Sequence, residues 1–245
     1  MASKSLTNRI LTKEEMRLVL KDLSMLALRG DRHVQRLAFF RVCACCGLRA
    51  SEIAGLVVGD INPFGPRPEI NVRAAIAKGG VRRSVPLSWD RGTRDDIAKW
   101  HQNRLSRSGK TAPMFHQTIP DLPMKSVSRQ TVWKWWKSAI LILGPMRVEQ
   151  IGGPHSGRHT FCTHALAGGR SLGEVRDAAG HSSATTTDIY VHALPRKGVA
   201  DLWAFDRPPV YFEDSDERNE SMISYLEKRD AFLKEQERQY GNDNQ

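Results

Sequence analysis

The feature that most restricts the fold is a change of hydrophobic period near the middle of the chain. Glu69 to Ala77 and Val81 to Leu87 are extended, β-branched runs separated by Lys78-Gly79-Gly80, which reads as a β-hairpin with a glycine turn. On either side the period is helical. Thr12 and Glu15 stand at capping-box spacing before an apolar side made by Met16, Leu18, Leu20, Leu23, Met25 and Leu26. A second helix is expected from about Arg32 to Cys46, ended by Gly47, and Ser51 and Glu52 open a short helix carrying Ile53 and Leu56. Asp90 to Leu105 and Ser126 to Leu143 also read as helices; Trp133, Trp135 and Trp136 lie in the second and are expected in the core. Gly152-Gly153-Pro154 precedes a helix from about His155 to Ala167, and Ser171 with Glu174 caps another that closes at Gly180. A short Thr-rich helix then leads to Tyr190, and Met114 to His116 offers a third strand. One hairpin among helices predicts a mainly α fold with a small antiparallel β-sheet, an α+β class.

Charge is unevenly placed. The chain carries a net +10, but Glu213 to Gln245 holds 10 acidic and 5 basic residues, leaving 32 basic and 17 acidic residues in the body. A body at +15 beside a tail at −5 points to a polyanionic partner, nucleic acid being the simplest, although charge alone does not separate that from a basic surface kept for solubility. The tail is a charged helix candidate over Glu213 to Tyr240, with Met222, Leu226, Leu233 and Tyr240 on one stripe, either solvated or docked. No apolar run reaches the ~20 residues of a membrane span, and the N-terminus lacks a secretory core, so a cytoplasmic protein is expected. Cys43, Cys45 and Cys46 crowd one apolar segment and Cys162 stands alone; without a second pair at zinc spacing they read as buried free thiols.

Four local patterns carry chemistry: Gly47-Leu48-Arg49-Ala50-Ser51-Glu52; Lys78 in its turn; His155-Ser156-Gly157-Arg158-His159; and Gly180-His181-Ser182-Ser183 with Thr185 to Thr187, ending in Asp188-Ile189-Tyr190. Each alone has an ordinary structural explanation, such as a surface ion pair, a solvated lysine, two side chains on one helix face or a packed tyrosine. Together and in this order they resemble the catalytic domain of the tyrosine recombinases, the phage-integrase family, over about Leu11 to Pro195. The family carries an Arg in a G-L-R-x-S-E stretch, a hairpin Lys, a His-x-x-Arg-His helix start, and a Tyr nine residues after the His of L-G-H-S-S-x-x-T-T. Gly157 departs from the family, which prefers an apolar residue there, and only about ten residues precede the first helix, so the family's N-terminal core-binding domain is expected to be absent. The expected layout is an N-terminal arm over 1–10, a catalytic domain over 11–212 and an acidic helical tail over 213–245.

The resemblance implies a site-specific recombinase that cuts and rejoins DNA through a 3′-phosphotyrosine link, without metal, ATP or other cofactor. It assigns Tyr190 as nucleophile, Arg49 and Arg158 as clamps on the non-bridging oxygens, and His181 as a donor to the same phosphate. Lys78 becomes the acid for the leaving 5′-oxygen and His155 an acid/base. Arg82 and Arg83 on the next strand are not given the acid role. The implied partners are double-stranded DNA and further copies in a homotetramer on paired sites, with a monomer or a partner recombinase left open, working in the cytoplasm at the nucleoid. Two other readings stand beside this one. A type IB topoisomerase shares much of the chemistry but typically lacks a counterpart of His155, and a helix-turn-helix regulator would use Ser171 to Gly180 for binding alone.

Overall fold

The computed structural model describes residues 6–117, 124–181 and 215–243. The Thr-rich segment and Tyr190 lie outside the described residues. Within them the chain is mostly helical with small antiparallel sheets. Helix α1 (Lys13–Ala27) begins at Thr12, which accepts from the Glu15 amide while Glu15 accepts from the Thr12 amide. It packs on α2 (Asp31–Phe40) and buries Met16, Val19, Leu20 and Leu23, whereas Leu18 faces solvent.

The expected long second helix stops being α at Phe40 and continues as a π-helical turn, Arg41–Cys45. The wider turn places Arg41, wholly buried, where it donates to Asp96 (2.9 Å) and Asp90 (3.2 Å). Gly47 then reverses the chain with φ +67°; a Cβ there would sit 2.4 Å from the Phe161 ring, so both backbone and space demand glycine. Short α3 (Ala50–Gly55) follows. All four cysteines are buried free thiols, as expected, and burial raises Cys45 to about 11.

The hairpin exists but its turn is longer than the glycine motif suggested. Strands β2 (Glu69–Val72) and β3 (Arg83–Pro86) pair from Glu69↔Pro86 to Val72↔Arg83, so the connection runs from Arg73 to Arg82. Ala74 to Ala77 are held in turns by the Arg73 carbonyl, which accepts from Ile76 and Ala77, instead of extending β2. The third strand is β1 (Ile61–Asn62), not Met114 to His116. His116–Gln117 (β4) pairs with Lys125–Ser126 (β5) in a separate ribbon.

Helix α4 (Arg91–Ser108), capped by Asp90, and α5 (Arg129–Ala139), capped by Ser128, close the main core. Trp135 and Trp136 are buried as expected; Trp133 is 46% exposed. After α6 (Pro145–Ile151) come α7 (His155–Ala167) and α8 (Leu172–Ala179) at the expected boundaries, packed together through Phe161, Cys162, Ala165, Val175 and Ala178. The C-terminal helix, Ser215–Asp243, lies against α1 and α6: Tyr225 and Arg229 donate to buried Asp22, and Leu233 packs on the core. Of the two expectations for the tail, docked or solvated, the docked one describes it. Among the described residues no helix is long and apolar enough to cross a membrane.

Candidate active site

The start of α7, the start of α3 and the hairpin connection meet at an open cleft of about 540 Å³ lined by Arg49, Lys78, Trp133, His155 and His159, among others. Arg49 is the N-cap of α3 and Glu52 is its N3 residue. Glu52 accepts from the Arg49 amide (2.8 Å) and from Arg49 Nη1 (3.0 Å), so the Arg-x-x-Glu spacing supplies the N3 half of a capping box, the half that needs no acceptor on arginine, and also fixes the guanidinium. Arg49 Nη2 reaches across to the Gly180 carbonyl at 2.9 Å, tying α3 to the end of α8.

His155 and Arg158 occupy the first turn of α7, one turn apart and hence on one face. His155 opens on the cleft and its ring meets His159 edge-on at 4.7 Å. Arg158 is 1% exposed; Nη1 donates to the Gly47 carbonyl (3.0 Å) and Nε to His181 Nε2 (3.3 Å). Its Nη2 is buried with no hydrogen-bond partner among the described residues, and none of their carboxylates pairs with it. Burial, then neighbouring Arg49, bring Arg158 down to about 10. A helix this close in at Gly157 explains the missing apolar side chain: a Cβ there would come within 2.9 Å of Cys43 Sγ and 3.0 Å of Trp136.

His181 follows the left-handed cap Gly180 at the end of α8, its amide bonded to the Arg176 carbonyl at 3.1 Å. Burial and then the Arg158 and Arg49 charges lower it to about 4, and the bond accepted at Nε2 is that of a neutral ring. His155 is lowered by the same combination, burial first, then Arg158, Arg49 and Lys78. Lys78 is exposed at the cleft edge. Five of the six residues singled out from the sequence, Arg49, Lys78, His155, Arg158 and His181, therefore gather in one place; the sixth, Tyr190, lies outside the described residues. Arg49 and His155 line the open cleft, and buried Arg158 with His181 adjoins them, so two guanidinium groups and imidazoles of lowered pKa come together in a setting for an anion with several acceptor oxygens.

Residues 9–197 match the phage integrase family. The chain belongs to that family. A tyrosine recombinase XerD from Proteus mirabilis is 35% identical over 164 residues, covering 65% of this chain and 48% of that protein. Tyrosine recombinase XerC from Herpetosiphon aurantiacus is 29% identical over 184 residues, 74% of this chain and 55% of the relative. This member of the phage integrase family thus spans about half the length of the curated relatives it matches. Its fold is also that of the XerH site-specific recombinase bound to difH substrate in a pre-cleavage complex, at a TM-score of 0.57 and 21% identity over 74% of this chain and 50% of that one.

Glu52 and His159 stand inside the sequence motifs without an assigned role, Trp133 is expected in the core and Arg83 is given no role, yet all four belong to the site or its support. Glu52 had a readable signal in its N3 spacing. His159 is lowered to about 4, by burial and then His155, but its burial is a property of packing. Trp133 is displaced from the core because Trp135 and Trp136 already fill the inner face of α5. The exposed face of α5 instead presents Arg129, Gln130, Trp133, Lys134 and Lys137.

Proposed function

We propose that the chain is a site-specific DNA recombinase: it cuts and rejoins double-stranded DNA through a 3′-phosphotyrosine intermediate, with 11–212 as the catalytic unit. The observation that supports this reading is the buried Nη2 of Arg158, without an acceptor among the described residues, beside Arg49 and His181. A buried donor without a partner costs about 1–3 kcal/mol, and a non-bridging phosphate oxygen supplies what it lacks. The Tyr190 oxygen attacks phosphorus as its proton passes to neutral His155; the bond from phosphorus to the 5′-oxygen breaks, and Lys78 protonates the departing oxygen. Arg49 and Arg158 stabilise the charge that builds on the non-bridging oxygens, and His181 donates to the same group. Rejoining reverses each transfer, so the phosphodiester energy is retained in the tyrosine ester. The exposed basic face of α5, on the same side as the cleft through Trp133, lies where the duplex backbone would run. The homology to XerD and the likeness to a DNA-bound recombinase support DNA as substrate, and exchange between two paired sites calls for four copies, acting on DNA in the cytoplasm.

The test is a randomised pool of nicked duplexes incubated with the protein, followed by denaturing electrophoresis and sequencing of DNA that travels with it. A covalent adduct enriched in one sequence, present in chelator and lost in Tyr190→Phe while DNA binding stays, is the expected result. An adduct that survives in Tyr190→Phe, or none with any duplex, overturns the reading.

A further inference from the structure

Arg83 is the least exposed cation near the cleft after Arg158, its side chain 8% exposed, yet it does not line the cleft. It projects from β3 and makes a two-pronged pair with Glu52: Nη1 to Oε1 at 2.8 Å and Nη2 to Oε2 at 2.7 Å. Its Nε donates to the Ala178 carbonyl at 2.9 Å. Arg49 grips the same two bodies more lightly, by one guanidinium nitrogen on Glu52 and one on the Gly180 carbonyl. Both arginines therefore span Glu52 and the last turn of α8, the turn that delivers His181, and the fit is close: a Cβ on Gly180 would come 2.7 Å from Arg83 Cδ.

Charge counting gives this arrangement a consequence. Glu52 is wholly buried and carries one negative charge against two guanidinium groups. With Arg83 taking the two-pronged share, one positive charge remains at Arg49. Without Arg83 the carboxylate has, among the described residues, only Arg49 as its ion-pair partner, and a planar fork turns fully onto a carboxylate that offers both oxygens. We propose that Arg83 is a positioning residue for strand cleavage: it satisfies Glu52 so that Arg49 keeps its charge and aim for the scissile phosphate, and it fixes the spacing from Arg49 to His181. This rests on the recombinase reading above for its substrate but not for its geometry.

Two measurements on Arg83→Met and Arg83→Lys test it. In the first, arginine Nε–H NMR signals are followed during titration with inorganic phosphate, which needs no DNA site. Wild type is expected to show Arg49 and Arg158 responding together; in Arg83→Met the Arg49 response weakens by about tenfold or more in phosphate concentration, and Arg83→Lys, a cation without the fork, recovers part of it. An unchanged Arg49 response in a variant whose melting temperature has fallen makes Arg83 a packing residue and overturns the proposal. In the second, on the adduct-selected duplex, Arg83→Met is expected to slow single-turnover cleavage by about ten- to a hundredfold while DNA affinity changes by less than about threefold. A 5′-bridging sulfur substrate should not restore the rate, because Arg49 acts on the non-bridging oxygens; rescue by sulfur would mean that Arg83 works through Lys78, and the proposal fails. If wild type forms no adduct, the recombinase reading falls and the phosphate titration still decides the role of Arg83. Where Arg83→Met does not fold, Arg83→Lys carries both readouts.

Discussion

At the scale of single residues the site is organised by where each positive charge comes from. Lys78 sits on the exposed connection, free of the packed guanidinium cluster behind it. If it is the acid for the leaving oxygen, Lys78→Ala should cut cleavage of ordinary DNA by ~10² to 10⁴ and cleavage of a 5′-bridging phosphorothiolate far less, since a thiolate leaves without a proton; gel assays of single-turnover adduct formation measure both. Arg49→Ala should impair both substrates alike. The histidines add a pH dependence whose sign is fixed. His159 and His181 are lowered to about 4 in the folded chain against an ordinary value near 6.5, so below 6.5 the unfolded chain binds protons that the folded chain refuses. Stability should be fully present above that value and drain away as pH falls toward 4. Denaturant melts at pH 7.5 and 5.5 measure this, and His159→Gln should flatten the slope.

At the scale of elements the π-turn after α2 is the piece that sets the site, because it swings Gly47 and Arg49 into place over α7. It is anchored from inside by Arg41 on Asp90 and Asp96, all nearly without solvent. Removing Arg41 leaves two buried carboxylates without their shared counter-ion, so Arg41→Met should cost about 3–5 kcal/mol in chemical denaturation, far more than loss of the exposed Arg91–Asp95 pair on α4. Capping boxes explain why several helix starts were legible in the sequence: Thr12 with Glu15 and Ser171 with Glu174 are local, three residues apart, and each closes as expected. The hairpin shows the opposite case. Its strands were legible and its turn was not, since Ala74 to Ala77 fold back onto the Arg73 carbonyl rather than pairing, a choice made by the surrounding packing of Ile76 on the core and against Gly55.

At the scale of the whole molecule the chain joins a basic body to an acidic helix packed on it. Asp22, 1% exposed on α1, receives Tyr225 at 2.8 Å and Arg229 at 2.5 Å, and burial, with the Asp22 charge next, pushes the Tyr225 hydroxyl well above its ordinary range. Asp22→Asn should weaken this clasp, and hydrogen exchange should then speed up in the C-terminal helix while α2 and α5 keep their protection. The sequence alone determined most helices and their starts, the two paired strands of the hairpin, and five of the residues gathered at the site, because caps, glycine stops and hydrophobic periods act over a few neighbours and a motif in order survives translation into space. Tertiary structure alone decided which cations remain available. Arg83 and Arg41 read like any other arginine in the sequence, and only packing across the chain, 31 residues from Glu52 in one case and 55 from Asp96 in the other, buries them against carboxylates, while Arg49 is left lining the cleft and Arg158 keeps a buried Nη2 with no partner among the described residues.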